Sequence, residues 1–159
     1  MKYIAAIAII AAASIGYAQP VDLHTTIDPI FGLAPVVVSN NTAQTTEAID
    51  LANYPGCEFH IITGVLADSN ATFAVTLAHA DSITDPTGAL VSSSAVSSDS
   101  LIGTTAEASF DYSADNTVKK IGYIKQKRYV QLTITPSGNT GSAPLAVIAV
   151  GRPYIRKGS

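Results

Sequence analysis

At 159 residues, with 47% hydrophobic and 13% charged side chains and a formal net charge of −3, the chain is one domain long and apolar enough to close a core without disulfides or metals. It has no Trp and one Cys, and Ala, Val, Ile, Ser, Thr and Gly dominate it, which is the palette of short strands and tight turns rather than of amphipathic helices. The charge is segregated: all twelve Asp and Glu lie at or before Asp115, and eight of the nine Lys and Arg lie at or after Lys119. A nearly neutral chain that divides its signs in this way suits contact with copies of itself or with a patterned neighbour, not steering towards a free polyanion.

Lys2, the apolar run Tyr3 to Ala13 and the small-residue stretch Gly16-Tyr17-Ala18 before Gln19-Pro20 match the three regions of a secretory signal peptide. The run is short of the roughly 20 residues that a membrane span takes. Residues 1–18 are therefore a cleaved signal, a buried arm or an interfacial helix, and they meet a membrane only if retained as an anchor. Residues 19–35 read as a linker arm, because Pro20, Pro29, Gly32 and Pro35 interrupt any regular element. Residues 36–153 form the body, and 154–159 a basic tail.

Within the body the strand signals are closely spaced. Val36 to Ser39 closes on Asn40-Asn41, Glu47 to Leu51 precedes a turn at Asn53-Tyr54-Pro55-Gly56, and Cys57 to Thr63 follows. From Thr72 to His79, Phe73, Val75 and Leu77 alternate with Thr72, Thr76 and Ala78. Val130, Leu132 and Ile134 alternate in the same way with Tyr129, Gln131, Thr133 and Thr135, the period of a sheet with one buried face. Asp81 to Ser100 reads as a long exposed loop or weak edge strand. Leu101-Ile102, Ala108 to Tyr112 and Thr117 to Ile124 add short strands, and Pro144 to Gly151 reads as a final strand buried on both sides. About eight such strands predict an all-β fold, a β-sandwich and most simply a jelly roll, with an extended N-terminal arm.

Catalytic signals are sparse. His24, His60 and His79 lack the mutual spacing of metal ligands and read as sheet-surface histidines, although His60 and His79 would approach if their strands paired. There is no G-x-S-x-G elbow and no Gly-rich loop between a strand and a helix. Asp68, Asp81, Asp85 and Asp99 lack a calcium-loop pattern and read as turn aspartates. Cys57, in an apolar run, reads as a buried, inert thiol. No enzymatic activity and no cofactor are expected.

The richest segment is Lys119 to Val150, read as a basic hairpin leading into an apolar strand. Its cations and aromatics, Lys119, Lys120, Lys125, Lys127, Arg128 and Tyr129, together with Arg152, are the candidate contacts to a capsid or to a neighbouring subunit. The interleaving also suits stacked bases. The acids of the first 118 residues argue against nucleic acid, so an acidic protein patch is the expected partner.

The blocks AIDL-x-x-Y-x-G-C-x-F at Ala48 to Phe59, L-x-D-x-N-A-T-F at Leu66 to Phe73 and IGY-x-x-x-K-R-Y-V at Ile121 to Val130 carry a resemblance. Over roughly Glu47 to Pro153 the chain resembles a family of small virion structural proteins of tailed bacteriophages, taken to be head decoration or cement proteins. The resemblance implies a jelly-roll protein at a symmetry axis of the capsid surface that ties capsomers together, with the major capsid protein as partner and a homo-oligomeric state, dimer or trimer. The signal-like N-terminus departs from that pattern and supports the alternative, a secreted or periplasmic β-sandwich binding module whose signal is removed.

Overall fold

A computed structural model describes residues 22–84 and 88–154 of the chain. The proposed signal-like segment, the first part of the arm and the end of the basic tail lie outside the described residues, as does Asp85. In chain order the described elements are α1 (Leu23–Thr26), β1 (Asp28–Val38), β2 (Gln44–Thr45), β3 (Ile49–Asp50), β4 (Gly56–Thr63), β5 (Thr72–Ala80), β6 (Ser82–Ile83), β7 (Leu90–Val91), β8 (Ser94–Ala95), β9 (Leu101–Ile102), α2 (Thr105–Ala108), β10 (Phe110–Asp111), β11 (Val118–Ile124), β12 (Tyr129–Ser137) and β13 (Ala143–Gly151). The fold is an all-β sandwich. A front sheet has the order β1-β13-β4-β11-β9, and a back sheet the order β10-β5-β12-β2, with β3 also on β12 and β8 on β5. β6 and β7 form a separate two-stranded ribbon.

The back sheet follows the alternation in the sequence. Leu132 lies opposite Leu77 and Ile134 opposite Val75 in the antiparallel β5–β12 pair. With Phe73 and Val130 these side chains are buried against Phe59, Ile61, Ile121 and Val147 of the front sheet. Each such burial is worth about 1.5–3 kcal/mol of transfer free energy. Phe110 stacks on Phe73 with ring centroids 4.8 Å apart.

Four expectations are corrected. The described part of the arm is regular: it makes the helical turn α1 and from Asp28 forms β1, the edge strand on β13, with register shifts between Phe31 and Leu33 and between Leu33 and Val36. An edge strand needs amide donors on one side only, and bulges absorb the rest, so Pro29 and Pro35 are tolerated. Second, the basic segment is not a hairpin. β11 pairs with β4 and β9 in the front sheet, and β12 with β5 in the back sheet, so Lys125 to Arg128 crosses between sheets. Third, β13 is buried on one side only: Ala143, Leu145, Val147 and Ala149 face the core, while Ile148 on the other side is 39% exposed. Fourth, the strand expected from Ala108 to Tyr112 is only Phe110–Asp111, because Ala108 ends a helical turn over Thr105–Ala108. Thr104 Oγ1 accepts the Glu107 N–H and Glu107 Oε2 accepts the Thr104 N–H, a capping box that starts the turn before β10.

Gln131 points away from the core, yet its amide donates to the carbonyl of Thr46 at 3.1 Å and of Gly88 at 3.4 Å. Gln131→Thr is therefore expected to lower stability by about 1 kcal/mol in urea melts rather than to be silent, because Thr cannot reach either carbonyl.

Candidate interaction surfaces

The seven basic and aromatic candidates fall into three environments. Lys125, Lys127, Arg128 and Tyr129 gather where β11 crosses to β12. The turn is fastened from below, because Tyr123 Oη accepts the N–H groups of Gln126 and Lys127 at 3.0 and 2.9 Å. Lys125 donates to the Leu51 carbonyl at 2.7 Å and lies 5.9 Å from the ring centre of Tyr154. Arg128 grips Asp50 bidentately at 2.8 and 3.0 Å and covers the ring of Tyr129 at 5.0 Å. Lys127 reaches Ser94 Oγ at 3.3 Å. Arg152 is exposed nearby, beside Pro55 and Tyr154. Much of this basic chemistry is thus committed to holding the crossover and the β3 segment together.

Hydrogen bonding from Arg128 is the main reason the Asp50 carboxyl is held below the usual carboxylate range, and it pushes the Arg128 guanidinium the other way. Both side chains are about half exposed, so water screens the pair. A double-mutant cycle with Asp50→Asn and Arg128→Gln is expected to give a coupling energy under about 1 kcal/mol in urea unfolding.

Lys119 and Lys120 lie elsewhere. Lys119 is half-buried and lines a polar depression with Phe110, Asp111, Ser113 and Thr117. Lys120 is exposed on the outer side of the front sheet, with Nζ 3.5 Å from Glu58 Oε1, and His60 Nε2 approaches the same oxygen at 3.3 Å.

That outer side is the most distinctive surface of the molecule. Strand alternation turns Glu58, His60 and Ile62 of β4, Val118, Lys120, Gly122 and Ile124 of β11, and Pro144, Ala146, Ile148 and Val150 of β13 to one side, away from the core. Phe31 and Val37 of β1 extend it past β13, and Ile102 of β9 extends it past β11, packed where a Cβ on Gly122 would meet it at 2.9 Å. Phe31, Val37, Ile102 and Val118 are each more than half exposed, and Ile62, Ile124 and Ile148 are 39–44% exposed. Two shallow apolar depressions flank the face, one at Val37, Ile62 and Pro144, the other at Ile102, Ile124 and Val150.

The histidine expectations change. His79 is buried, not on the sheet surface, and its Nδ1 lies 2.8 Å from Tyr123 Oη across the two sheets. His60 belongs to β4 in the front sheet and His79 to β5 in the back sheet, so the two do not pair. Cys57 is buried as expected, and burial pushes its thiol up to about 12. Asp68 is a turn aspartate: its carboxylate accepts the N–H groups of Asn70 and Thr140 and the Thr140 hydroxyl, which holds its pKa down. Among the described residues no group of three or more His, Cys, Asp or Glu is placed to hold a metal ion, and no helix is long and apolar enough to cross a membrane.

Sequence reasoning chose the cations and passed over the apolar face, although Ile62, Val118, Ile124 and Ile148 all stand at alternate positions opposite core residues. No family model, no curated protein and no solved structure matches the chain.

Proposed function

We propose that this chain is a non-enzymatic structural protein that decorates and cements a bacteriophage capsid, stabilising contacts between capsomers as a homo-oligomer bound to the major capsid protein. The observation that carries this reading is the outer face of the front sheet, where the exposed apolar side chains of Phe31, Val37, Ile62, Ile102, Val118, Ile124 and Ile148 surround the Glu58, His60 and Lys120 cluster, because exposed apolar side chains gathered on one face mark a surface for assembly. The phage resemblance of the three blocks supports it as well, and the fold brings two of the blocks together. The first and third clasp each other through Asp50 and Arg128, and the second opens β5 through the Asp68 turn. The jelly-roll form of the sandwich belongs to the same proposal.

The mechanism is mechanical. A protein that binds the assembled shell and not free subunits stabilises the shell by mass action, about 2.7 kcal/mol per site at a hundredfold excess over Kd, and many copies add avidity. Arg152, exposed beside the crossover, and the half-buried Lys127 are the cations offered to an acidic capsid patch. Lys125 and Arg128 mainly hold the fold.

The test is mass spectrometry of purified virions, in which the chain is expected in stoichiometric amounts. Recovery from the periplasmic fraction and absence from virions would overturn the reading. The signal-like residues 1–18 favour that second reading, a secreted or periplasmic binding module. Deleting them separates the two, since a secreted module is expected to lose export and a decoration protein has no export to lose.

A further inference from the structure

We propose that the outer face of the front sheet is a two-fold interface, whose occupant is the same face of a second copy of this chain. This rests on the reading of the chain as an assembly protein and names the partner that the apolar face takes.

The edges of the sheet are closed to strand addition. β1 carries Pro29 and Pro35 and two register shifts, and β9 at the other edge is two residues long. Association therefore falls to the face. Four strands about 4.8 Å apart and seven paired residues at about 3.3 Å each give a corrugated surface whose burial in two copies totals on the order of 1,000 Å², the lower bound for a stable interface.

Charge selects the occupant. At the outward positions of β4, β11 and β13 the titratable groups are Glu58, His60 and Lys120, gathered on one carboxylate oxygen at 3.3 and 3.5 Å. This cluster has no strong excess of either sign, so a strongly acidic or basic partner gains little from it. It is instead complementary to itself. In register, Lys120, His60 and Ile148 form one row across the sheet, and Gly122, Glu58 and Val150 the next. An axis that runs across the strands between these rows sets Glu58 over the partner's His60, beside the partner's Lys120, and Ile148 over the partner's Val150. Opposite charges meet, apolar meets apolar, and both happen twice, as a two-fold requires. Two sheets stacked face to face in this way, about 10 Å apart, would repeat outside the molecule the packing that the sandwich uses inside.

Sedimentation velocity on the full chain, from about 1 to 100 µM, tests this. The parent is expected to be dimeric in the upper part of that range and to remain so as salt rises, because the contact is mainly apolar. Glu58→Lys makes the cluster wholly basic and Lys120→Glu makes it acidic. Each is expected to weaken self-association at least a hundredfold, and mixing the two variants is expected to restore a heterodimer. Ile148→Lys is expected to give monomer, with circular dichroism and melting of all three variants confirming that the fold persists. A parent that is monomeric throughout would overturn the proposal, including one whose face is protected from hydrogen exchange by some other segment. So would charge variants that dimerise like the parent, or that stay apart when mixed. The chain found in virions as a monomer would sink this interface alone, and a dimer absent from virions would sink the decoration reading alone.

Discussion

Truncating Leu132 to Ala is expected to cost about 2–5 kcal/mol and to lower the melting temperature by about 4–20 °C. Leu132 is fully buried at the centre of β12, opposite Leu77, between Val130 and Ile134 on its own strand, and under the front-sheet core. Removing its branched end leaves a cavity that rigid sheets on both sides cannot collapse to fill, so the loss exceeds the simple transfer free energy. In a domain stable by about 5–15 kcal/mol that is a large share. The control is Thr135, exposed on the outer side of the same strand, where Thr135→Ala is expected to stay within about 0.5 kcal/mol. Should Thr135→Ala prove the damaging change and Leu132→Ala the mild one, β12 would be one residue out of register and its buried face misassigned.

The back sheet was legible for the same reason that makes this prediction sharp. Its outward positions are Thr72, Thr76, Gln131, Thr133 and Thr135, so the polar residues mark the period that the apolar ones share. The front sheet hid its period because its outward residues are apolar too. Pro144, Ala146, Ile148 and Val150 make β13 look buried on both sides. β1 was hidden by Pro29, Gly32 and Pro35, residues that forbid a central strand and not an edge strand.

Two further signals were present and local. Thr104 and Glu107 have the spacing of a capping box, and His79 continues the series Phe73, Val75, Leu77, which places it inward. What no local pattern contains is the pairing of the cations. Asp50 lies 78 residues before Arg128, and Leu51, whose carbonyl Lys125 caps, lies 74 residues before that lysine, so a run that looks like a solvated basic patch is partly an internal clasp.

Tyr123→Phe is expected to destabilise the protein by about 2–5 kcal/mol although it removes a single oxygen. Tyr123 is 1% exposed, and its hydroxyl oxygen accepts the N–H groups of Gln126 and Lys127. With its lone pairs engaged, the hydroxyl donates its proton to His79 Nδ1, which places the ring proton of His79 on Nε2. Phenylalanine at this position strands two amides and a ring nitrogen, and it releases the crossover that joins the sheets. The same geometry sets a pH dependence. Burial is the main cause that lowers the His79 pKa below 6.5, the Lys127 charge adds to it, and Asp81 opposes it. The neutral ring is therefore the folded form. Its contribution is present in full above 6.5 and is lost as pH falls from there through the lower folded value, since the unfolded chain takes up the proton first. Protonation would turn Nδ1 into a donor aimed at an oxygen with no lone pair to spare. Urea unfolding of the parent is expected to show stability falling below pH 6.5, with His79→Gln flattening that limb. The carboxylates of Asp50, Asp68 and Asp111, held below 3.8, lose their contributions only at lower pH and stay out of this window. A parent whose stability is flat from pH 7.5 to 5, or a Tyr123→Phe variant as stable as the parent, would mean that the hydroxyl does not hold the crossover.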